Sequence, residues 1–149
     1  MKQIVYIIGH RSSDPFRIRN LLFVVKWLQS IKTILFYHYD IILTVVIIEQ
    51  DIKPTINNMI GDYVNYIFAY NANEYNRGWA FNIGFVKFKN ADFFYFADND
   101  IILNTNDMMT IFLKSFQYDA IIPYAEIYNT KSKIFEDHIT IIADVNELI

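Results

Sequence analysis

Hydrophobic positions along this chain fall into two alternating rhythms: short apolar runs and longer stretches with a helical period. Gln3 to Ile8 is dominated by apolar residues and closed by Gly9, the pattern of a strand buried on both faces. A polar loop from His10 to Asp14 follows. Asp14-Pro15 then reads as an N-cap with proline at the first helical position. From Phe16 to about Ile31 the apolar residues Ile18, Leu21, Leu22, Val25 and Leu28 recur with a helical period. Ile41 to Ile48 predicts a second strand, closed by Glu49-Gln50-Asp51. Pro54 to Ile60 reads as a short helix, Val64 to Tyr70 as a third strand and Asn71 to Asn76 as a polar loop. Trp79 to Lys89 fits a helix with Ala80, Ile83, Gly84 and Val86 toward a sheet. Phe93 to Ala97 is a fourth strand, and Asn106 to Phe116 a helix with Asp107 in its acidic first turn. Ala120 to Tyr128 predicts a further strand, with a polar turn at Asn129 to Ser132.

Strands alternating with helices predict an α/β fold: a mostly parallel central sheet covered by helices on both faces. In such a sheet, the loops after the first, second and fourth strands gather on one edge. Those loops carry Arg11, Asp51 and the pair Asp98 and Asp100. The length, the scarcity of Gly and Pro and the lack of a low-complexity linker predict one domain over residues 1–149.

Composition narrows the function classes. Net charge is -3 and no basic run or stripe is present, which argues against a nucleic-acid partner. Eleven Tyr and thirteen Phe could serve as base-stacking platforms, but most lie in strand-like runs and read as core. The absence of cysteine excludes disulfides and thiolate metal sites, and suits the cytoplasm or another reducing compartment. The longest apolar run, Ile41 to Ile48, is far short of the roughly 20 residues of a membrane span. Only Ile4 to Ile8 separates Met1-Lys2-Gln3 from Gly9, so no signal peptide is predicted.

The densest chemical signal is Phe93-Phe94-Tyr95-Phe96-Ala97-Asp98-Asn99-Asp100. On an extended strand, residues i and i+2 point to the same side, so Asp98 and Asp100 would present oxygens to one point. Two carboxylates held that close repel. A hard divalent cation, Mg²⁺ or Mn²⁺, removes the conflict and also binds phosphate oxygens. The competing reading is a plain turn, because Asx side chains bond to nearby backbone. Arg11, Arg17 and Arg19 suit phosphate or a base by the planar guanidinium fork, although Arg17 and Arg19 also read as a solvated helix face. Asp51 reads as a base or ribose acceptor, or as a turn residue. Arg77 opens a helix, where the macrodipole disfavours a cation; an anionic ligand or a salt bridge to Glu74 would explain it. Asn82 is polar on a helix that otherwise faces the sheet. Gly84 permits close approach of helix and strand.

Tyr75-Asn76-Arg77-Gly78-Trp79-Ala80-Phe81-Asn82-Ile83-Gly84-Phe85, Asp92 to Phe96, and Asp98-Asn99-Asp100 together resemble the core of GT-A fold glycosyltransferases. The resemblance is to the beta-1,4-galactosyltransferase and chondroitin-polymerase type of nucleotide-diphospho-sugar transferase. Val45 to Gln50 resembles the second strand of those enzymes. Pro15-Phe16-Arg17-Ile18-Arg19 is similar to their Pro-Phe-Arg-x-Arg motif, and Gly9-His10-Arg11 aligns as well with the motif that ends the first strand. The similarity covers most of Lys2 to Leu103. It implies a GT-A-like sheet, Asp100 as a Mn²⁺ or Mg²⁺ ligand, and Asp98 as a contact to ribose or metal. It further implies that Arg77, with Arg11 or Arg17 and Arg19, contacts a UDP-sugar donor whose sugar passes to a hydroxyl or amine of a glycan or protein acceptor.

The family's acceptor half is reduced here. After Gly84 there is no glycine and after Trp79 no tryptophan, so no Gly-Trp-Gly-x-Glu-Asp motif is present. Phe135-Glu136-Asp137-His138 is the remaining acidic-plus-His cluster; Asp137 or Glu136 reads as a general base or as surface charge. Three functions follow: a short glycosyltransferase, complete or with an acceptor site from a partner domain or subunit; a non-catalytic nucleotide-sugar-binding module; and a sugar nucleotidyltransferase. The lack of a Gly-rich loop after the first strand disfavours the third.

Overall fold

The computed structural model describes residues 1–123. The strand-like runs form β1 (Lys2–His10), β2 (Ile41–Asp51), β3 (Val64–Tyr70) and β4 (Phe93–Ala97), interleaved with helices α1 (Pro15–Tyr39), α2 (Arg77–Lys87) and α3 (Thr105–Lys114). The strands pair in the order β3-β2-β1-β4, and every pairing is parallel. This is an α/β architecture compatible with a Rossmann-like fold. Among the described residues, no helix is long and apolar enough to cross a membrane.

Period-two alternation on the central strands divides the core. Ile4, Tyr6 and Ile8 of β1 and Leu43, Val45 and Ile47 of β2 pack with Leu21, Leu28 and Ile31 of α1 and with Met108 and Phe112 of α3. Val5, Ile7, Val46 and Ile48 face the other way, toward Ala80 of α2. Both faces of β1 are therefore buried, which is why its sequence is a continuous apolar run rather than an alternating one. The larger face is pinned by aromatics. Tyr6 stacks on Tyr95 at 4.6 Å between centroids, and Phe112 meets both rings edge-on. Such pairs add about 0.5–1.5 kcal/mol each beyond area burial.

The helix starts follow their caps. Asp14 accepts from the Phe16 N–H at 2.8 Å with Pro15 next to it, Asn76 accepts from Trp79 N at 2.8 Å, and Asn104 from Asn106 N at 2.9 Å. α1 runs past the predicted end at Ile31 to Tyr39, because Leu35 continues the buried stripe one turn further. It closes at Asp40, whose φ of 56° is left-handed and whose N–H returns to the Leu35 carbonyl.

Pro54 to Ile60 is not helical. It forms turns, with Met59 N donating to the Ile56 carbonyl at 2.8 Å. α2 begins two residues earlier than predicted, and its inward face differs. Ala80 and Gly84 are buried and Ile83 packs beside them, whereas Val86 is exposed. Asn82 is also exposed, so it lies off the face that meets the sheet. Residues 120–123 form no strand, and the rest of the predicted Ala120–Tyr128 strand lies outside the described residues, as do the turn at Asn129–Ser132 and the cluster containing Glu136 and Asp137.

Gly84 meets the sheet where a side chain would not fit. A Cβ there would lie 2.7 Å from Ile7 Cγ2 and 2.8 Å from Cδ1. Ile7 is itself fully buried and cannot swing away. Gly84→Val should cost about 2–3 kcal/mol of stability by overpacking, read as a lower urea midpoint with an unchanged slope.

Candidate functional site

In a parallel sheet, ligand sites form beyond the carboxyl ends of the strands, where the chain reverses the direction in which it adds strands. Here β2 and β3 extend one side of β1 and β4 lies on the other, so that point falls between β1 and β4. The residues just past it are His10, Arg11 and Ser12 on one side and Asp98, Asn99 and Asp100 on the other. The N-terminus of α2 brings in Arg77 beside them.

Arg77 Nη2 lies 3.0 Å from Asp98 Oδ2. The predicted alternative partner, Glu74, is thus replaced by a residue more than twenty positions away. The guanidinium also sits over the Phe81 ring, 5.4 Å from its centroid. Both side chains of the ion pair keep solvent access, at 54% and 33%. Such a pair adds little to stability and is open to an incoming ligand.

The acidic pair is not carried on a strand. β4 ends at Ala97, and Asn99 and Asp100 form a turn. The i, i+2 geometry of an extended strand therefore does not apply to Asp98 and Asp100. Asn99 points inward and is 5% exposed, Asp98 is half-buried and Asp100 is exposed. Among the described residues, no three His, Cys, Asp or Glu side chains converge as a metal cage.

The remaining predicted residues divide by what they touch. Arg11 is tied to the protein: its Nε donates to the Gln50 carbonyl at 2.9 Å and Nη2 to the Asn71 carbonyl at 2.7 Å. It joins the ends of β1, β2 and β3. Arg17 is exposed at the start of α1, with its carbonyl 3.4 Å from Asn99 Nδ2. The Arg19 guanidinium lies over the Phe16 ring at 5.1 Å. Asp51 folds back on its own turn, Oδ1 accepting from Ile52 N at 2.8 Å. Asn82 stands on the solvent side of α2, and Asp137 lies outside the described residues.

A cavity of about 400 Å³ runs along β4, with Phe94, Phe96, Asp98, Arg77, Ile101 and Ile121 among its lining. That volume falls in the range of small-molecule sites, about 300–1,000 Å³. It shares Arg77 and Asp98 with the crevice, but Arg11, Arg17, Arg19 and Asp51 do not line it.

Several polar residues at the strand ends were given no site role from the sequence. His10, Glu49, Gln50, Asn71 and Asn99 are all buried. Gln50 Nε2 donates to the Asn76 carbonyl at 2.8 Å, and its Oε1 accepts from Asn76 N at 3.0 Å and Asn71 Nδ2 at 3.1 Å. It thereby holds the residue that caps α2 and precedes Arg77. Glu49 is closed off by donors: Ser12 Oγ at 2.7 Å, Thr55 N at 3.1 Å and Tyr66 Oη at 2.5 Å. Burial and this bond to Glu49 push the Tyr66 hydroxyl pKa upward. The available signal was a polar triplet ending an apolar strand, which marks side chains held by partners rather than by water.

Tyr75 crosses over Gly9, where any Cβ would collide with its hydroxyl. That hydroxyl is buried without a hydrogen-bond partner among the described residues. Burial first, then the Asp98 charge, raises its pKa, while Arg77 and Arg17 oppose the shift.

Comparison with protein-family models, with curated proteins and with solved structures finds no significant match to this chain.

Burial lowers the His10 pKa from 6.5 to about 4. The unfolded chain therefore binds more protons between those values, and stability falls as pH drops through that window. Between pH 7 and pH 5 this group should remove about 2 kcal/mol. Urea titrations at the two pH values should show that loss in the parent and a smaller one in His10→Gln.

Proposed function

We propose that this chain is a GT-A-like donor-binding domain of a glycosyltransferase that uses a UDP-sugar with Mn²⁺ or Mg²⁺. The observation that carries the reading is the Arg77–Asp98 pair. One guanidinium and one carboxylate lie 3.0 Å apart at the point where strand order reverses, beside a helix N-terminus. Anions are favoured at such a terminus, and arginine matches phosphate by its two-pronged donor geometry.

The donor set suits a cation that arrives with its nucleotide. Mg²⁺ is commonly held by one or two carboxylates, with substrate phosphates and water completing the shell. Asp98 and Asp100 would supply the two carboxylates, which needs no third protein ligand. When bound, the cation supplies Lewis-acid stabilisation to the leaving diphosphate. The chain's own tasks are simpler. Arg77 exchanges its contact with Asp98 for one with phosphate, and Arg17 adds positive charge at the rim. Gln50 and Asn76 keep Arg77 in place. Acceptor activation falls to Asp137 or to a partner domain.

A second reading, a binding module without transfer activity, draws on the tethering of Arg11 and Asp51. Both are committed to backbone groups of the protein, which leaves fewer side chains for substrate.

Calorimetric titration of UDP with and without Mn²⁺ tests the donor site. Binding should require the cation. Asp100→Asn should weaken it more than tenfold with little change in stability, since Asp100 is exposed. UDP binding by Asp100→Asn equal to that of the parent would remove the carboxylates from the site. Arg77→Ala should weaken UDP binding about 10–100-fold, the scale of a lost charge-assisted hydrogen bond. Unchanged affinity would exclude Arg77. Hydrolysis of a UDP-sugar panel without acceptor separates the enzyme from the binding module.

A further inference from the structure

The turn that carries Asp98 and Asp100 has an anchor besides the Asp98–Arg77 pair. That anchor is the residue between the two carboxylates. Asn99 is buried, and its Nδ2 lies 2.7 Å from His10 Nδ1 and 3.4 Å from the Arg17 carbonyl. An amide nitrogen can only donate, so Nδ1 is the acceptor and the ring proton sits on Nε2. Nε2 is 3.1 Å from Ser12 Oγ, which accepts that proton's bond. Ser12 then donates its own hydroxyl proton to Glu49 Oε1 at 2.7 Å. Every bond in this series runs in one direction, from Asn99 to the Glu49 carboxylate.

Register explains why these groups meet. His10 and Glu49 are directly paired across β1 and β2. They continue the series Ile4, Tyr6, Ile8 and Leu43, Val45, Ile47 on the face toward α1, so they form a polar layer on top of the main core. Glu49 is fully buried there, and its other donors come from different segments: Thr55 N and Ile56 N after β2, and Tyr66 Oη on β3. One connected network thus spans the loops after β1, β2 and β4.

We infer that His10 is a positioning residue: through Asn99 it fixes the acidic turn, and through Ser12 and Glu49 it locks that turn to the 52–60 loop. The inference rests on the proposed donor site for its ligand, but its geometry stands apart from that reading. Pre-organised loops bind without the cost of ordering, so a break in the network should appear as weaker ligand binding. Among the described residues, the ring is the member that bonds to both Asn99 and Ser12 and so joins the two halves. A glutamine in its place keeps one acceptor and one donor; a leucine of similar bulk keeps neither.

The test compares parent, His10→Gln, His10→Leu and Ser12→Ala by NMR and by calorimetry. Long-range proton–nitrogen spectra should show the His10 ring protonated on Nε2; a ring protonated on Nδ1 would overturn the inference. Amide exchange of Asp98 to Asp100 and of Thr55 and Ile56 should rise together, tenfold or more relative to mid-strand Ile7, in His10→Leu. In His10→Gln it should stay within about threefold of the parent. Ser12→Ala alters a half-buried residue whose side-chain hydrogen bonds go to His10 and Glu49, and it keeps the experiment decisive if His10→Leu does not fold. Faster exchange at Asp98 to Asp100 in Ser12→Ala supports transmission through His10, and an unchanged turn overturns it. Affinity for UDP with Mn²⁺ should fall about tenfold in His10→Leu and recover in His10→Gln. The same exchange pattern with no UDP binding by any form would support the positioning role and reject the donor site.

Discussion

Placing a carboxylate out of water at the end of a central strand is the constraint around which this molecule is organised. Glu49 is fully buried, and such a group is tolerated only when donors surround it. The donors come from β3, from the loop after β1 and from the loop after β2. None of these segments can move far without stranding a charge. The aromatic core beneath sets how the layers pack, but the carboxylate sets where the loops at the sheet's functional edge come to rest.

The same logic recurs one residue along. Gln50 points to the opposite face from Glu49 and binds Asn71 and both backbone groups of Asn76 that it can reach. Neighbouring residues at the end of β2 therefore serve opposite sides of the sheet. Glu49 organises the α1 side, and Gln50 organises the entry to α2. Arg11 adds a third strut by capping the carbonyls of Gln50 and Asn71. These struts tie together the ends of β1, β2 and β3 and the start of α2, while Asp100 and Arg77 remain exposed.

The four strands of the sheet and the start of α1 were legible in the sequence because each has a local cause. Continuous apolar runs gave the four strands, and Asp14-Pro15 gave the start of α1. Gly84 was readable as a point of close approach for the same reason. What the sequence did not show depends on distant partners. Pro54 to Ile60 has apolar residues at helical spacing, yet the Thr55 and Ile56 N–H groups are bound to Glu49 and the segment stays a turn. Arg77 has an acidic neighbour in Glu74, but its partner comes from β4's far end. The acidic pair looked strand-borne because Phe93 to Ala97 runs straight into it. The buried amide of Asn99 bends the chain instead.

The two faces of β4 differ in a way that bears on how this chain can change over time. Tyr95 lies in the stack with Tyr6, while Phe96, its neighbour, is 45% exposed. On the α1 side Tyr95 packs between Tyr6 and Phe112, so a substitution there must be matched by another. On the α2 side Phe94 and Phe96 pack against Phe85 and Phe81, yet both keep solvent access. Variation should therefore accumulate at every second residue of this strand, and new binding surfaces would arise on the looser face without disturbing the layer that fixes the fold.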